Sequence, residues 1–170
     1  LVLGNPLDTK TTLGPMTKYG SADIIRIKIQ NAINQGARQI VDQSSFHLSS
    51  IESNYLAPQI LINVNHDMEI MTEETFGPVM PIMKVENDEE AIRLMNDSKY
   101  GLTASVWTRD LERGEQICNQ IETGTVFVNR CDYLDPELAW TGVKETGMGC
   151  SLSHLAFKQV TRPKSFYINI

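Results

Sequence analysis

"TEETFGPVMPIMKV", residues 72–85, sets two adjacent carboxylates, Glu73 and Glu74, and an aromatic, Phe76, ahead of a Gly77-Pro78 corner that runs straight into an apolar segment. The segment after the corner reads as a strand. Pro81 within it has no N–H to give to a ladder, which places that strand at an edge or a bulge. Neighbouring side chains of extended backbone point to opposite sides, so Glu73 and Glu74 do not form an acid/base pair flanking one substrate. Two readings of the corner remain. Either both carboxylates are solvated, or one turns inward to accept hydrogen bonds from ligand hydroxyls, with Phe76 as a flat apolar wall.

Working outward, "SADIIRIKIQNAINQ" (21–35) keeps Ile24, Ile25, Ile29, Ala32 and Ile33 at helical spacing, with Ile27 out of step and Gly36 as the stop. "YLAPQILINV" reads as a strand after Pro58. Downstream, "NDEEAIRLMNDS" starts on Asn87 as N-cap with Glu90 three residues on, and presents Ala91, Ile92 and Met95 on one face. "LTASVWT" reads as strand, "DLERGEQICNQIET" as helix with Leu111, Ile117 and Ile121 inward, and "GTVFVN" as strand. Strand and helix alternate at βαβ spacing from Val79 to Val128, which predicts an α/β fold with a largely parallel sheet and flanking helices. After Asn129 periodicity fades into a long glycine-containing loop, the kind of connection that often carries function, and "KSFYINI" reads as a final strand.

Length and composition bound the function. A chain of 170 residues is long enough for one domain with a real core. A net charge of −6 without a basic stripe argues against a nucleic-acid surface. No apolar run approaches the roughly 20 residues that span a bilayer, and "LVLGNPLDTK" lacks the pattern of a signal peptide, so a cytoplasmic location is expected. The chain opens on Leu1 without an initiator Met, and it is read as a piece of a longer polypeptide.

Nucleophiles and metal ligands are scarce. His47, His66 and His154 are scattered and fit no metal motif, so no metal is expected. Cys118, Cys131 and Cys150 show neither CxxC nor zinc spacing; Cys118 falls among the core positions of a helix, and Cys131 has no His or Lys beside it to lower its pKa. No serine sits in a GxSxG elbow. Gly142, Gly147 and Gly149 do not follow a strand into a helix, so "TGVKETGMG" is no dinucleotide fingerprint.

Taken in order, "GNPLDTKTTLGPM", "EETFGPV", "NDSKYGLTASVWTRD", "GTVFVN" and "TGVKETGMG" resemble motifs of the later catalytic domain of the NAD(P)-dependent aldehyde dehydrogenase superfamily. The resemblance covers essentially the whole chain. It implies oxidation of an aldehyde through a cysteine thiohemiacetal and thioester with NAD or NADP as cofactor. It also implies that the nucleophile, the general base and the oxyanion-hole Asn lie upstream of Leu1, so that the 170 residues alone are inactive and carry no catalytic residue. By matching positions, Glu74 contacts the nicotinamide ribose hydroxyls, Phe76 packs by the nicotinamide, Trp140 lines the aldehyde site, and Asn129 has a structural role near it.

The resemblance further implies that residues 1–160 are the C-terminal part of a catalytic domain and that 161–170 form an oligomerisation strand, giving a homodimer or homotetramer. The other reading is a noncatalytic oligomerisation or scaffolding module that keeps the same fold. The chain departs from the family pattern G-G-x-K-x-S-G-x-G-R-E: Thr141 stands for the first Gly, Thr146 for the Ser, and the Arg-Glu pair is absent.

Overall fold

The spacing of Ala22, Ile25, Ile29 and Ala32 becomes helix α1, Ser21–Asn34, in a computed structural model that describes residues 1–46 and 54–170. His47 lies outside the described residues. Gly36, at φ +108°, ends the helix. Its N–H donates to the Ile33 carbonyl and the Ala37 N–H to that of Ala32, the two bonds of a Schellman motif. Ile24, expected inside, is 60% exposed. It lies one residue, about 100° of rotation, off the buried stripe.

Contacts gather the chain into two units, 1–84 and 85–170. In the first, β1 (Arg38–Gln39) pairs antiparallel with β2 (Gln59–Ile62), and β2 pairs in parallel with β3 (Val79–Pro81), with Leu61 opposite Pro81. The order β1-β2-β3 makes β3 an edge, so Pro81 sits where its missing N–H is tolerated. Leu61 and Met68 are fully buried, and with Ile25, Ile29, Leu56 and Ile70 they form the core. Gln59, also buried, accepts from the Gln39 amide at 2.9 Å, which offsets the cost of removing its carbonyl from water. The short helix α2, Glu69–Thr72, leads into the Glu73-Glu74 corner.

The second unit begins with α3, Asp88–Asn96. The Asn87 side chain accepts from the Glu90 N–H at 2.8 Å, while the Glu90 carboxylate reaches back to the Glu86 N–H at 2.7 Å, one residue before its place in a standard capping box. After β4 (Tyr100–Gly101), strand β5 (Thr103–Val106), helix α4 (Leu111–Cys118) and strand β6 (Thr125–Val128) form a βαβ crossover with β5 and β6 parallel. Within the segment read as a loop, β7 (Val143–Lys144) pairs antiparallel with β4. Two residues are too few to show a strand period in sequence. A short helix α5, Phe157–Val160, follows.

The α/β class and the parallel β5–β6 pair agree with the sequence pattern; the other parallel pair, β2–β3, joins β3 to a strand before the Val79–Val128 alternation, and the described strands form three separate small sheets with two parallel and two antiparallel pairs. Three local expectations need correction. Leu111, the first residue of α4, is 65% exposed, while Gly114 and Cys118 further along the same face are buried. Met95 is exposed while Ala91, Ile92 and Leu94 are half-buried. "KSFYINI" forms no strand: residues 161–170 are exposed and carry no assigned structure, since a strand needs a ladder partner and none of the described residues provides one.

Side chains lock α3 to its neighbours. Arg113 grips Asp88 in a two-pronged ion pair, Nε to Oδ2 at 2.5 Å and Nη2 to Oδ1 at 2.6 Å. At the other end of α3, the Asn96 side chain binds the Gln120 carbonyl and the Glu122 N–H. Lys144 caps the Asn96 carbonyl at 2.6 Å and pairs with Glu122 at 2.9 Å.

The Arg113 hydrogen bond holds the Asp88 carboxyl below the ordinary value of 3.8. A carboxyl with a lowered folded pKa contributes stability that is complete above the unfolded value and lost as pH falls through the folded one. Asp88→Asn is therefore expected to lower Tm at neutral pH, with the gap from the parent protein closing below pH 3.8. A gap that stays constant across a Tm-versus-pH series would contradict this role.

Candidate functional site

The corner after α2 is held from several sides. Lys28 on α1 forms an ion pair with Glu69 at 3.3 Å, and its ammonium also lies 3.4 Å from the Glu74 carbonyl. The Gly77 N–H donates to the Thr75 carbonyl at 3.0 Å, and the Gln59 N–H takes the Pro78 carbonyl at 2.8 Å, stitching the corner to β2. A Cβ at Gly77 would meet Ile25 Cδ1 at 2.3 Å, so any larger residue requires the end of the Ile25 side chain to move. On this frame Glu74 is exposed and Phe76 is 80% exposed, whereas Glu73 is half-buried and ends α2. A fixed backbone thus presents a carboxylate, which only accepts when ionised, and an aromatic face two residues apart.

Asn129 and Trp140 belong to the second unit. Asn129 follows β6 with φ +56°, a left-handed conformation that Asn tolerates better than most residues. Its side chain binds the Thr108 backbone twice, accepting from the N–H and donating to the carbonyl, each at 2.8 Å. That clamp fixes the segment leaving β5 against the end of β6. Trp140 is half-buried and lines a cavity of about 420 Å³ together with Thr141, Met148, Cys150 and Gln159.

Sequence reasoning missed the two residues that order the loop around this cavity. The Thr146 hydroxyl accepts from the Gly101 N–H at 2.8 Å, and the Thr141 hydroxyl donates to the Gly149 carbonyl at 2.7 Å. The signal was their departure from the family pattern. The Thr141 carbonyl also lies where a Cβ on Gly124 would fall, 1.5 Å away.

The cysteines give no activated nucleophile. Cys118 is buried, and burial, followed by the Glu115 charge, pushes its thiol pKa up. Cys131 is exposed and Cys150 half-buried. His66 is half-buried and His154 exposed. Among the described residues no group of three His, Cys, Asp or Glu side chains is placed to hold a metal ion, and no helix is long and apolar enough to cross a membrane.

With this geometry in view, the likeness to known proteins is specific. The sequence model of the aldehyde dehydrogenase family matches residues 1–166. The chain belongs to the aldehyde dehydrogenase family. It is 38% identical over 150 residues to a lactaldehyde dehydrogenase of Methanococcus maripaludis, covering 88% of this chain and 31% of that protein. Among solved structures, a succinic semialdehyde dehydrogenase from Streptococcus pyogenes in complex with NADP+ superposes with a TM-score of 0.87 at 32% identity, over 98% of this chain and 36% of that one. A betaine aldehyde dehydrogenase from Staphylococcus aureus in complex with NAD+ gives 0.81 at 29% identity, over 93% and 32%. The chain thus spans about a third of the length of the aldehyde dehydrogenases it matches.

The two glycine contacts differ in what they meet, and so in cost. Gly77→Ala presses on the end of a buried side chain and is expected to destabilise by about 1–3 kcal/mol, as overpacking does. Gly124→Ala presses on a backbone carbonyl that cannot rotate away, and should lose more. Denaturant midpoints of the two variants test the order, which a milder effect at Gly124 would reverse.

Proposed function

We propose that the chain is the C-terminal part of the catalytic domain (1–160), with a terminal oligomerisation strand (161–170), of an NAD(P)-dependent aldehyde dehydrogenase. The reaction is oxidation of an aldehyde to a carboxylic acid through a cysteine thiohemiacetal and thioester, with the nucleophile and general base supplied by residues outside these 170. The observation that carries this reading is the family match over residues 1–166. The proposed setting is cytoplasmic.

NAD or NADP, when bound, supplies the hydride acceptor. The exposed corner suits that ligand chemically. The Glu74 carboxylate is an acceptor for the paired hydroxyls of the nicotinamide ribose, and Phe76 offers a flat apolar face to the nicotinamide. The Gly77 contact and the Lys28 bond keep this corner in place, so little ordering is needed on binding. Trp140 forms a wall of the aldehyde site, supported by its place in the cavity, and Asn129 acts structurally near it through its double bond to Thr108.

Full-length protein is expected to reduce NAD+ or NADP+ with an aldehyde, and failure across a broad aldehyde panel would remove the proposal. In that protein Glu74→Gln keeps the shape but loses a charge-assisted acceptor worth about 1.5–3 kcal/mol. Single-turnover hydride transfer should slow by roughly 10- to 100-fold; unchanged kinetics would return Glu74 to the solvated reading.

The terminal segment carries Phe166, Tyr167 and Ile168 at 78–90% exposure and has no charge from Ser165 onward. This unpaired apolar stretch supports pairing between subunits as a homodimer or homotetramer. Deleting residues 165–170 should shift the sedimentation coefficient toward monomer, and an unshifted profile would argue against that role.

A further inference from the structure

Trp140 stands at the mouth of a closed loop whose two limbs, 136–141 and 149–153, are tied across by hydrogen bonds. The Ser153 N–H donates to the Pro136 carbonyl at 2.9 Å. Trp140 and Ser151 exchange a reciprocal pair, the Trp140 N–H to the Ser151 carbonyl at 2.7 Å and the Ser151 N–H to the Trp140 carbonyl at 2.9 Å. The last tie is made by a side chain: the Thr141 hydroxyl donates to the Gly149 carbonyl at 2.7 Å, in preference to a 3.3 Å approach to its neighbour's carbonyl.

In an antiparallel ladder running on from the Trp140–Ser151 rung, the Gly149 carbonyl faces residue 142. Here the hydroxyl of residue 141 binds that carbonyl. The family pattern has a glycine at this position, which has no hydroxyl to make the tie.

Two further features show that the limbs are held against a conformational cost. Leu152 and Ser153, neither of them glycine, both have positive φ, +62° and +53°. Such consecutive left-handed residues persist only where surrounding bonds over-determine the backbone. On the other limb, the Thr141 carbonyl is seated against the bare Cα of Gly124. Residue 141 is therefore fixed through its backbone on one side and its hydroxyl on the other. Trp140, one residue before it, lines the same cavity as Thr141 and the glycine-rich turn.

We propose that Thr141 is a positioning residue for the aldehyde site: by holding the Gly149 carbonyl, its hydroxyl sets how far the Trp140 ring stands into the cavity, and so which aldehydes fit. The inference rests on the reading of Trp140 as a wall of that site. Thr141 also lines this cavity, but its hydroxyl is committed to the Gly149 carbonyl, so loss of the hydroxyl acts on aldehyde fit through the position of Trp140 and leaves cofactor affinity alone.

The test is a double-mutant cycle in the full-length enzyme, with KM and kcat measured for a short and a branched aldehyde. Thr141→Val removes the donor and is expected to change aldehyde KM by about two- to tenfold, the equivalent of one net hydrogen bond, with cofactor KM unchanged. Thr141→Ser keeps the donor and should restore the parent values. In a Trp140→Ala background the Thr141→Val effect should vanish, because the ring through which the hydroxyl acts is gone.

An unchanged aldehyde KM in Thr141→Val, or an effect that survives intact without the Trp140 ring, overturns the proposal while leaving Trp140 in the site. If Trp140→Ala itself leaves aldehyde KM untouched, the underlying reading of Trp140 fails instead. Should Thr141→Val not yield folded protein, the same cycle with Thr141→Cys, whose thiol is a weak donor, gives the same discrimination.

Discussion

Ile25 reaches from α1 into the space where Gly77 has no side chain, with 2.3 Å between its Cδ1 and the place a Cβ would occupy. The first unit depends on this contact. It lets a helix pack directly on the chain as it turns from α2 into β3, so that the buried stripe of α1 and the buried face of β2 share one core. The corner that carries Glu74 and Phe76 is held beside it through two carbonyls, that of Glu74 by Lys28 and that of Pro78 by the Gln59 N–H. The second unit has its own version, in which the Thr141 carbonyl rests on Gly124 at a separation no Cβ would permit. In both, a missing methyl group positions backbone, and the backbone positions the exposed side chains.

What those side chains share is a bonded backbone beneath an exposed side chain. Phe76 is 80% exposed, against the usual tendency of a large aromatic, on a turn whose Glu74 and Pro78 carbonyls are bonded to α1 and β2. Asn129 likewise spends both ends of its amide on the Thr108 backbone. A bonded backbone of this sort favours binding, since the ordering cost left to a ligand falls on the side chains alone. Membership of the aldehyde dehydrogenase family gives the arrangement its context, and the proposed cofactor contact its chemical sense.

The loop from Thr141 to Ser153 is where this chain differs from the family pattern, and the differences are structural replacements. Where the pattern has Gly, Thr141 contributes a hydroxyl that binds the Gly149 carbonyl, and Thr146, in place of Ser, keeps a hydroxyl that accepts from the Gly101 N–H. At residue 141 a departure that looked in sequence like a loss of pattern is, in space, a tie across a turn. Cys118 plays a different part: it is buried, and burial pushes its thiol pKa up.

Local chemistry was enough to specify much of this. The apolar period and Gly36 determined α1, Asn87 determined the start of α3, the βαβ rhythm determined the parallel β5–β6 pair, and the motifs from "GNPLDTK" to "TGVKETGMG" determined the family. Other features depended on partners distant in the chain. That Leu111 and Met95 are exposed while Gly114 and Cys118 are buried depends on which part of each helix meets neighbours in space. That "KSFYINI" is no strand follows from the lack of a ladder partner among the described residues, since strand propensity alone makes no inter-strand hydrogen bonds. The same holds at the candidate site. Residue type marked Glu74 and Phe76, but only packing shows that the absent Cβ of Gly77 holds them in place, because steric exclusion is a property of neighbours in space and leaves no period in the sequence.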